Sequence, residues 1–212
     1  MNKATIIEVV LFKTNEGVNP EQFKVEMARY NNFLKKCDGF ISRKIGVSAD
    51  GQYLDVMYFT DLDACNACAK KAEQDADLMA FQVSVMDSKI DPSSVYTSRF
   101  KVLNDMSVEA STPTIAEVFI MKPKRDVESG LFESAMIKFN DTLANYKGII
   151  LRENGVSPNG QYLELVYWTG LDAIKSANEK VIEFEGAEIG SFFDMTDEEA
   201  EIVNRFEIFC DV

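Results

Sequence analysis

Apolar positions along the chain follow two rhythms, runs of β-forming residues and sets that recur every three or four positions. Thr5 to Phe12 and Thr114 to Met121 are β-rich runs in which Glu8 and Glu117 interrupt otherwise apolar residues, and they predict strands. Phe23, Met27, Tyr30 and Leu34 recur at helical spacing, as do Phe132, Met136, Phe139 and Leu143, and a glycine follows each set at Gly39 or Gly148. Each set predicts an amphipathic helix. Further β-type runs flank Ala49-Asp50-Gly51 and Pro158-Asn159-Gly160, a hairpin signal. Thr60-Asp61-Leu62-Asp63 and Thr169-Gly170-Leu171-Asp172 read as variant capping boxes, with a threonine at the N-cap of a second helix. Val95 to Val102 and Ile202 to Phe209 supply the last strands, so β-α-β-β-α-β is spelled twice.

The two halves are copies. Gly51-Gln52-Tyr53-Leu54-Asp55-Val56-Met57-Tyr58-Phe59-Thr60 matches Gly160-Gln161-Tyr162-Leu163-Glu164-Leu165-Val166-Tyr167-Trp168-Thr169, and the same offset runs without a gap from Glu8 and Glu117 to Ala64 and Ala173. Arg99-Phe100 realigns with Arg205-Phe206 after a short deletion in the second helical region. The expected organisation is a ferredoxin-like repeat over 1–103, a polar linker over 104–113 and a second repeat over 114–212. The fold class is α+β. One sheet with helices on a single face leaves its other face bare, so the two copies are expected to close on each other as a barrel within one chain.

Strand alternation assigns side chains to faces. The strictly apolar side of the first strand, Ile7, Val9 and Leu11, or Ala116, Val118 and Ile120, suits packing under helices. The other side, with Glu8 or Glu117, is then expected in the space between the sheets. Pro158 fixes φ near −65°, which rules out a type I′ turn and favours a type I turn followed by left-handed Gly160. That register pairs Ser157 with Gln161 and places Arg152 across from Val166 and Arg43 across from Met57. Glu8, Arg43, Tyr53, Asp55 and Phe59, with Glu117, Arg152, Tyr162, Glu164 and Trp168, are accordingly expected to line one interior, Arg43 pairing with Glu8 and Arg152 with Glu117.

The strand Ile7-Glu8-Val9-Val10-Leu11-Phe12-Lys13, the segment Asp38-Gly39-Phe40-Ile41-Ser42-Arg43, the block from Gly51 to Ala64, and Ile90-Asp91-Pro92-Ser93-Ser94-Val95 together resemble the dimeric α/β-barrel superfamily. Within it they resemble the antibiotic-biosynthesis-monooxygenase-like domains. The resemblance covers both copies and implies a fused dimer with ligand cavities, in a group of cofactor-independent monooxygenases, haem-degrading enzymes, isomerases and members without assigned activity. The chain departs from the haem-degrading pattern in having no histidine, and from the tryptophan-rich oxygenase pattern in having only Trp168, with Phe59 at the matching place.

Composition narrows the chemistry further. With 46% hydrophobic and 27% charged residues in 212, a packed globular core is expected. A formal charge of −13 repels phosphate backbones and anionic lipid, so neither nucleic acid nor membrane is an expected partner. No leader or run approaching the ~20 residues of a membrane span stands out, and a cytoplasmic location is the expectation. The absent histidine removes Ser/His/Asp and Cys/His nucleophile arrangements and the usual zinc sites, and no motif asks for a metal or cofactor. Cys37, Cys65, Cys68 and Cys210 are too sparse for a disulfide framework and are expected as reduced thiols, with Cys65 and Cys68 standing in for the apolar Ile174 and Ala177.

Glu8 and Glu117, with Arg43 and Arg152, are the candidate catalytic residues, since a carboxylate held by a cation can serve as a general base. Tyr53, Asp55, Phe59, Tyr162, Glu164 and Trp168 are candidates for substrate binding, the aromatics as a stacking clamp. The sequence supports an oxygenase-like or isomerase-like enzyme on an apolar or aromatic metabolite, and equally a noncatalytic binder or a scaffold with a packed interior. The expected assembly is a monomer with pseudo-dimeric symmetry or a higher homo-oligomer of it. Cavity volume separates the first two readings from the last.

Overall fold

The computed structural model describes residues 3–86, 95–180, 192–197 and 202–212; the Ile90 to Ser94 part of the motif quoted above lies outside them. The chain divides into two compact units, residues 1–101 with 208–212 and residues 102–207. The first carries β1 (Ile6–Lys13), α1 (Pro20–Leu34), β2 (Phe40–Val47), β3 (Gln52–Phe59), α2 (Leu62–Gln74), α3 (Ala76–Val85) and the start of β4 (Tyr96–Ser107). The second carries β5 (Ile115–Met121), α4 (Ser129–Leu143), β6 (Ile149–Val156), β7 (Tyr162–Trp168), α5 (Leu171–Lys180) and most of β8 (Ile202–Asp211). β4 therefore runs four residues into the stretch read from sequence as linker.

In unit 1, β1 pairs antiparallel with β3 and β4, and β3 with β2. In unit 2, β5 pairs antiparallel with β7 and β8, and β7 with β6. The hydrogen-bonded order β1-β3-β2-β8-β5-β7-β6-β4 closes on itself, which makes the fold a closed eight-stranded α+β barrel in one chain. No helix among the described residues is long and apolar enough to cross a membrane.

Local chemistry sets the turns. Ser157 N–H donates to Gln161 O at 2.8 Å and Gly160 N–H to Ser157 O at 3.0 Å, with Gly160 at φ 76°, the three-residue hairpin predicted above. Arg152 faces Val166 and Arg43 faces Met57 in that register. Gly39, at φ 78°, sits where a Cβ would lie 2.5 Å from the Ala64 Cβ, so only glycine lets the turn after α1 touch α2. The capping threonine is corrected: the N-cap of α2 is Asp61, whose side chain accepts from Ala64 N–H, while Thr60 donates to Asp61. Asp75 ends α2 and caps a separate α3 by accepting from the amides of Asp77 and Leu78, splitting what the sequence suggested as one helix.

The face assignment is reversed. Phe12 packs with Phe23 and Met27 of α1 and Val85 of α3, and Met121 packs with Phe132 and Met136 of α4. The side bearing Glu8 and Glu117 thus lies under the helices. Ile7, Val9, Leu11, Val118 and Ile120 sit on the opposite side at 0–1% exposure, each fully buried aliphatic worth roughly 1.5–3 kcal/mol. The physical reason is hydrogen bonding: helices bring acceptors such as the Asn31 side chain to a buried guanidinium, whereas apolar strand rows offer none.

Candidate functional site

The hairpin register and the parity of β2 and β3 bring Arg43 and Asp55 together under α1. Arg43 Nε and Nη2 donate to the two Asp55 oxygens at 2.7 and 2.5 Å, and Nη1 donates to Asn31 Oδ1 at 2.6 Å. The guanidinium carbon stands 4.7 Å from the centroid of the Tyr30 ring. Burial works against the Arg43 charge, but the Asp55 carboxylate against it prevails and its pKa is raised. Burial, with Asp55 nearby, also pushes the Tyr30 phenol well above its ordinary range.

Unit 2 repeats the arrangement with changes. Arg152 Nε donates to Glu164 Oε1 at 2.8 Å, and Nη1 donates to the Met136 carbonyl, Asn154 Oδ1 and Asn140 Oδ1. Arg152 Nη2, Asn154 Nδ2 and Trp168 Nε1 are buried with no hydrogen-bond partner among the described residues. Asn31 and Asn140, matched between the copies, are thus acceptors for the two buried arginines.

The expected Glu8–Arg43 and Glu117–Arg152 pairs do not form. Glu8 Oε1 accepts from Arg99 Nε at 2.6 Å, and Glu117 Oε1 accepts from Arg205 Nη2 at 2.5 Å. Each partner lies directly opposite on the other neighbouring strand. Arg43 and Arg152 turn instead to the carboxylates two rungs along β3 and β7, which are close enough for Nε to engage.

Glu8, Arg43, Asp55 and Arg99 border a cavity within unit 1 of about 440 Å³, lined also by Val10, Met27, Tyr30, Leu78 and Phe81, among others. It lies between the sheet and helices α1, α2 and α3. Of the sequence candidates in this unit, Glu8, Arg43 and Asp55 border it. Tyr53 instead stacks on Phe12 at 5.3 Å, and Phe59 packs edge-on against Phe40. In unit 2, Tyr162 donates to Glu133 at 2.9 Å and Trp168 is packed among Leu143, Ile174 and Ala177. Sequence reasoning missed Arg99, Tyr30 and the wall from α3. Arg99 was legible, since it aligns with Arg205 on the strand beside Glu8.

The cysteine expectation is corrected as well: Cys37 and Cys68 are joined in a disulfide, while Cys65 and Cys210 are free. Spacing along the chain did not reveal that the turn after α1 lies against α2. Burial, with Glu8 beside it, pushes the Cys65 thiol up to about 12. Among the described residues no cluster of three His, Cys, Asp or Glu side chains gathers to hold a metal ion.

No protein-family description matches this sequence, and no curated protein matches it in sequence. Solved structures do. A candidate monooxygenase from Fusobacterium nucleatum superposes over 100% of this chain and 95% of its own at TM-score 0.76 and 14% identity. One from Lactobacillus acidophilus superposes over 99% and 96% at TM-score 0.67 and 11% identity. An anthrone oxidase-like protein superposes over 99% and 93% at TM-score 0.70 and 11% identity. At such identities the likeness is one of fold.

Proposed function

We propose that unit 1 binds a small apolar or aromatic molecule in the cavity beneath its helices, and that Glu8 acts there as a proton acceptor. The observation that carries this reading is an open space of about 440 Å³ with two carboxylate–guanidinium pairs, Glu8–Arg99 and Asp55–Arg43, in an otherwise largely apolar wall. Ligand sites of that size and mix, within about 300–1,000 Å³, orient an apolar body by a few polar groups. The hydrogen bond from Arg99 Nε fixes the direction of the carboxylate, and phenylalanine and methionine side chains around it suit a flat ring. The fold shared with candidate monooxygenases and an anthrone oxidase-like protein supports an aromatic occupant. Proton abstraction serves an isomerase-like reaction directly. It also serves a cofactor-independent oxygenase-like one, in which the deprotonated substrate itself gives electrons to dioxygen. In this reading the chain is a cytoplasmic member of the antibiotic-biosynthesis-monooxygenase-like group, and Arg43 and Asp55 form the fixed back wall.

A noncatalytic binder is the second reading, favoured by one observation: the arginines and carboxylates of the wall, Arg43 with Asp55 and Arg99 with Glu8, already hold one another. Native mass spectrometry against a set of aromatic metabolites, followed by mass analysis of the products, separates the two. The expected result is a ligand retained by both wild type and Glu8→Gln, with a product from the wild type alone. A ligand released unchanged by the wild type establishes the binder, and no retained ligand sinks both readings.

A further inference from the structure

Unit 2 supplies an internal control for the cysteines of unit 1. Cys37 N–H donates to Leu34 O at 2.9 Å and Tyr146 N–H to Leu143 O at 3.0 Å, so the two residues occupy the same turn after α1 and α4. Tyr146 shares one apolar cluster with Ile174 and Ala177, as Cys37 does with Cys65 and Cys68. The fold fills this place in unit 2 with a tyrosine near an alanine. A covalent bond there is therefore no requirement of the architecture.

Its position in unit 1 is informative. Cys37 ends the α1 turn and Cys68 lies mid-way along α2; α1 contributes Met27 and Tyr30 to the cavity, and α2 contributes Ala69, Ala72 and Glu73. One bond thus ties two walls of the same cavity. On the outer side, Cys37 and Cys68 border a second hollow of about 350 Å³, together with Gly39, Ala64 and Lys71. The charged groups of that hollow are the Lys71 ammonium and the carboxylates of Asp38, Asp61 and Asp63, so an uncharged dithiol suits the approach better than an anionic one.

We propose that Cys37–Cys68 is a reversible dithiol–disulfide site that sets the opening of the unit 1 cavity, reduced by a small dithiol entering from the outer hollow. The second half of this statement rests on the cavity reading above. A thiolate of the reductant attacks one cysteine sulfur, the bond between the cysteines breaks, and the displaced sulfur leaves as a thiolate that takes a proton from water. The second thiol of the reductant then attacks the mixed disulfide, so that two cysteine thiols and the reductant's own disulfide result. Two electrons and two protons pass to the protein. Cys65, buried against Glu8 and Arg99, takes no part.

The test uses the full chain purified without reductant, equilibrated with dithiothreitol or with mixtures of reduced and oxidised glutathione, then alkylated and mapped by mass spectrometry. Cys37 and Cys68 are expected to label only after reduction, and Cys65 only after denaturation. Hydrogen exchange in the second half of α2 is expected to quicken about tenfold on reduction, and the affinity for the fluorescent probe 8-anilinonaphthalene-1-sulfonate to shift about fivefold. The variant Cys37→Tyr/Cys68→Ala, which copies unit 2, is expected to lose both responses; the wild-type comparison decides alone if that variant does not fold. Labelling of Cys37 and Cys68 without reductant, or α2 exchange unchanged on reduction, overturns the proposal. A faster α2 with no probe bound in either state supports the redox site and counts against the cavity reading instead.

Discussion

Replacing Arg43 by methionine keeps the aliphatic stem and removes the guanidinium, leaving the Asp55 carboxylate 5% exposed with both oxygens stripped of their donors. Removing one partner of a buried pair costs about 3–5 kcal/mol, and the loss of two charge-assisted hydrogen bonds at roughly 1.5–3 kcal/mol each gives an overlapping range of about 3–6 kcal/mol. For a chain of this length 1 kcal/mol corresponds to about 2–4 °C, so the midpoint should fall by about 6–20 °C. The double variant Arg43→Met/Asp55→Leu removes both ions and is expected to regain most of the loss, since a well-packed apolar pair replaces a buried ion pair at little net cost. Urea unfolding followed by circular dichroism at neutral pH, with calorimetry for the midpoint, measures both. An Arg43→Met protein as stable as wild type, or a double variant as unstable as the single one, refutes the reasoning that pairing rather than packing holds this place.

Gly39→Ala should destabilise unit 1 by about 1–3 kcal/mol from its left-handed backbone alone, and by more where the new Cβ meets Ala64, as read by denaturant unfolding. Tyr162 is pushed up to about 12 by burial and by Glu133 beside it; ultraviolet titration should find it among the late phenols, with Tyr30 and Tyr96, and Tyr162→Phe should remove its step. Because the folded pKa is the higher one, the associated stability is present below pH 10 and is lost as pH rises from there through about 12. Cys68→Ala, compared without reductant, should cost about 4 kcal/mol for a loop spanning a separation of 31 residues, and the difference from wild type should shrink in dithiothreitol.

The order of elements, the hairpin register and the closed barrel were legible because each rests on local chemistry repeated in two copies: Gly160 in a left-handed turn, the period of Phe23 to Leu34, the alternation around Glu8. What failed required knowing which face meets which neighbour. Strand alternation places Glu8 with Asp55 and Arg43 on one side, but it does not say whether that side meets helices. The assumption that helices take the purest apolar row was the wrong tie-breaker. The partner of Glu8 does not follow from the β2–β3 hairpin register, because β1 has β4 as its other neighbour, with Arg99 directly opposite. The disulfide was hidden because Cys37 and Cys68 meet only through the tight contact that Gly39 allows.

Residues 208–212 belong to unit 1, and Val212 exchanges backbone hydrogen bonds with Arg43 at 2.7 and 2.9 Å. During synthesis, then, the first unit emerges with β2 as an open edge and must wait for roughly a hundred further residues, about 5–20 s at ribosomal speed, before its last strand arrives. Through that interval the strand carrying Arg43 offers unpaired amides to any passing chain. A nascent chain halted after residue 101 should accordingly bind chaperones or aggregate, even though most of its residues already have their partners in reach.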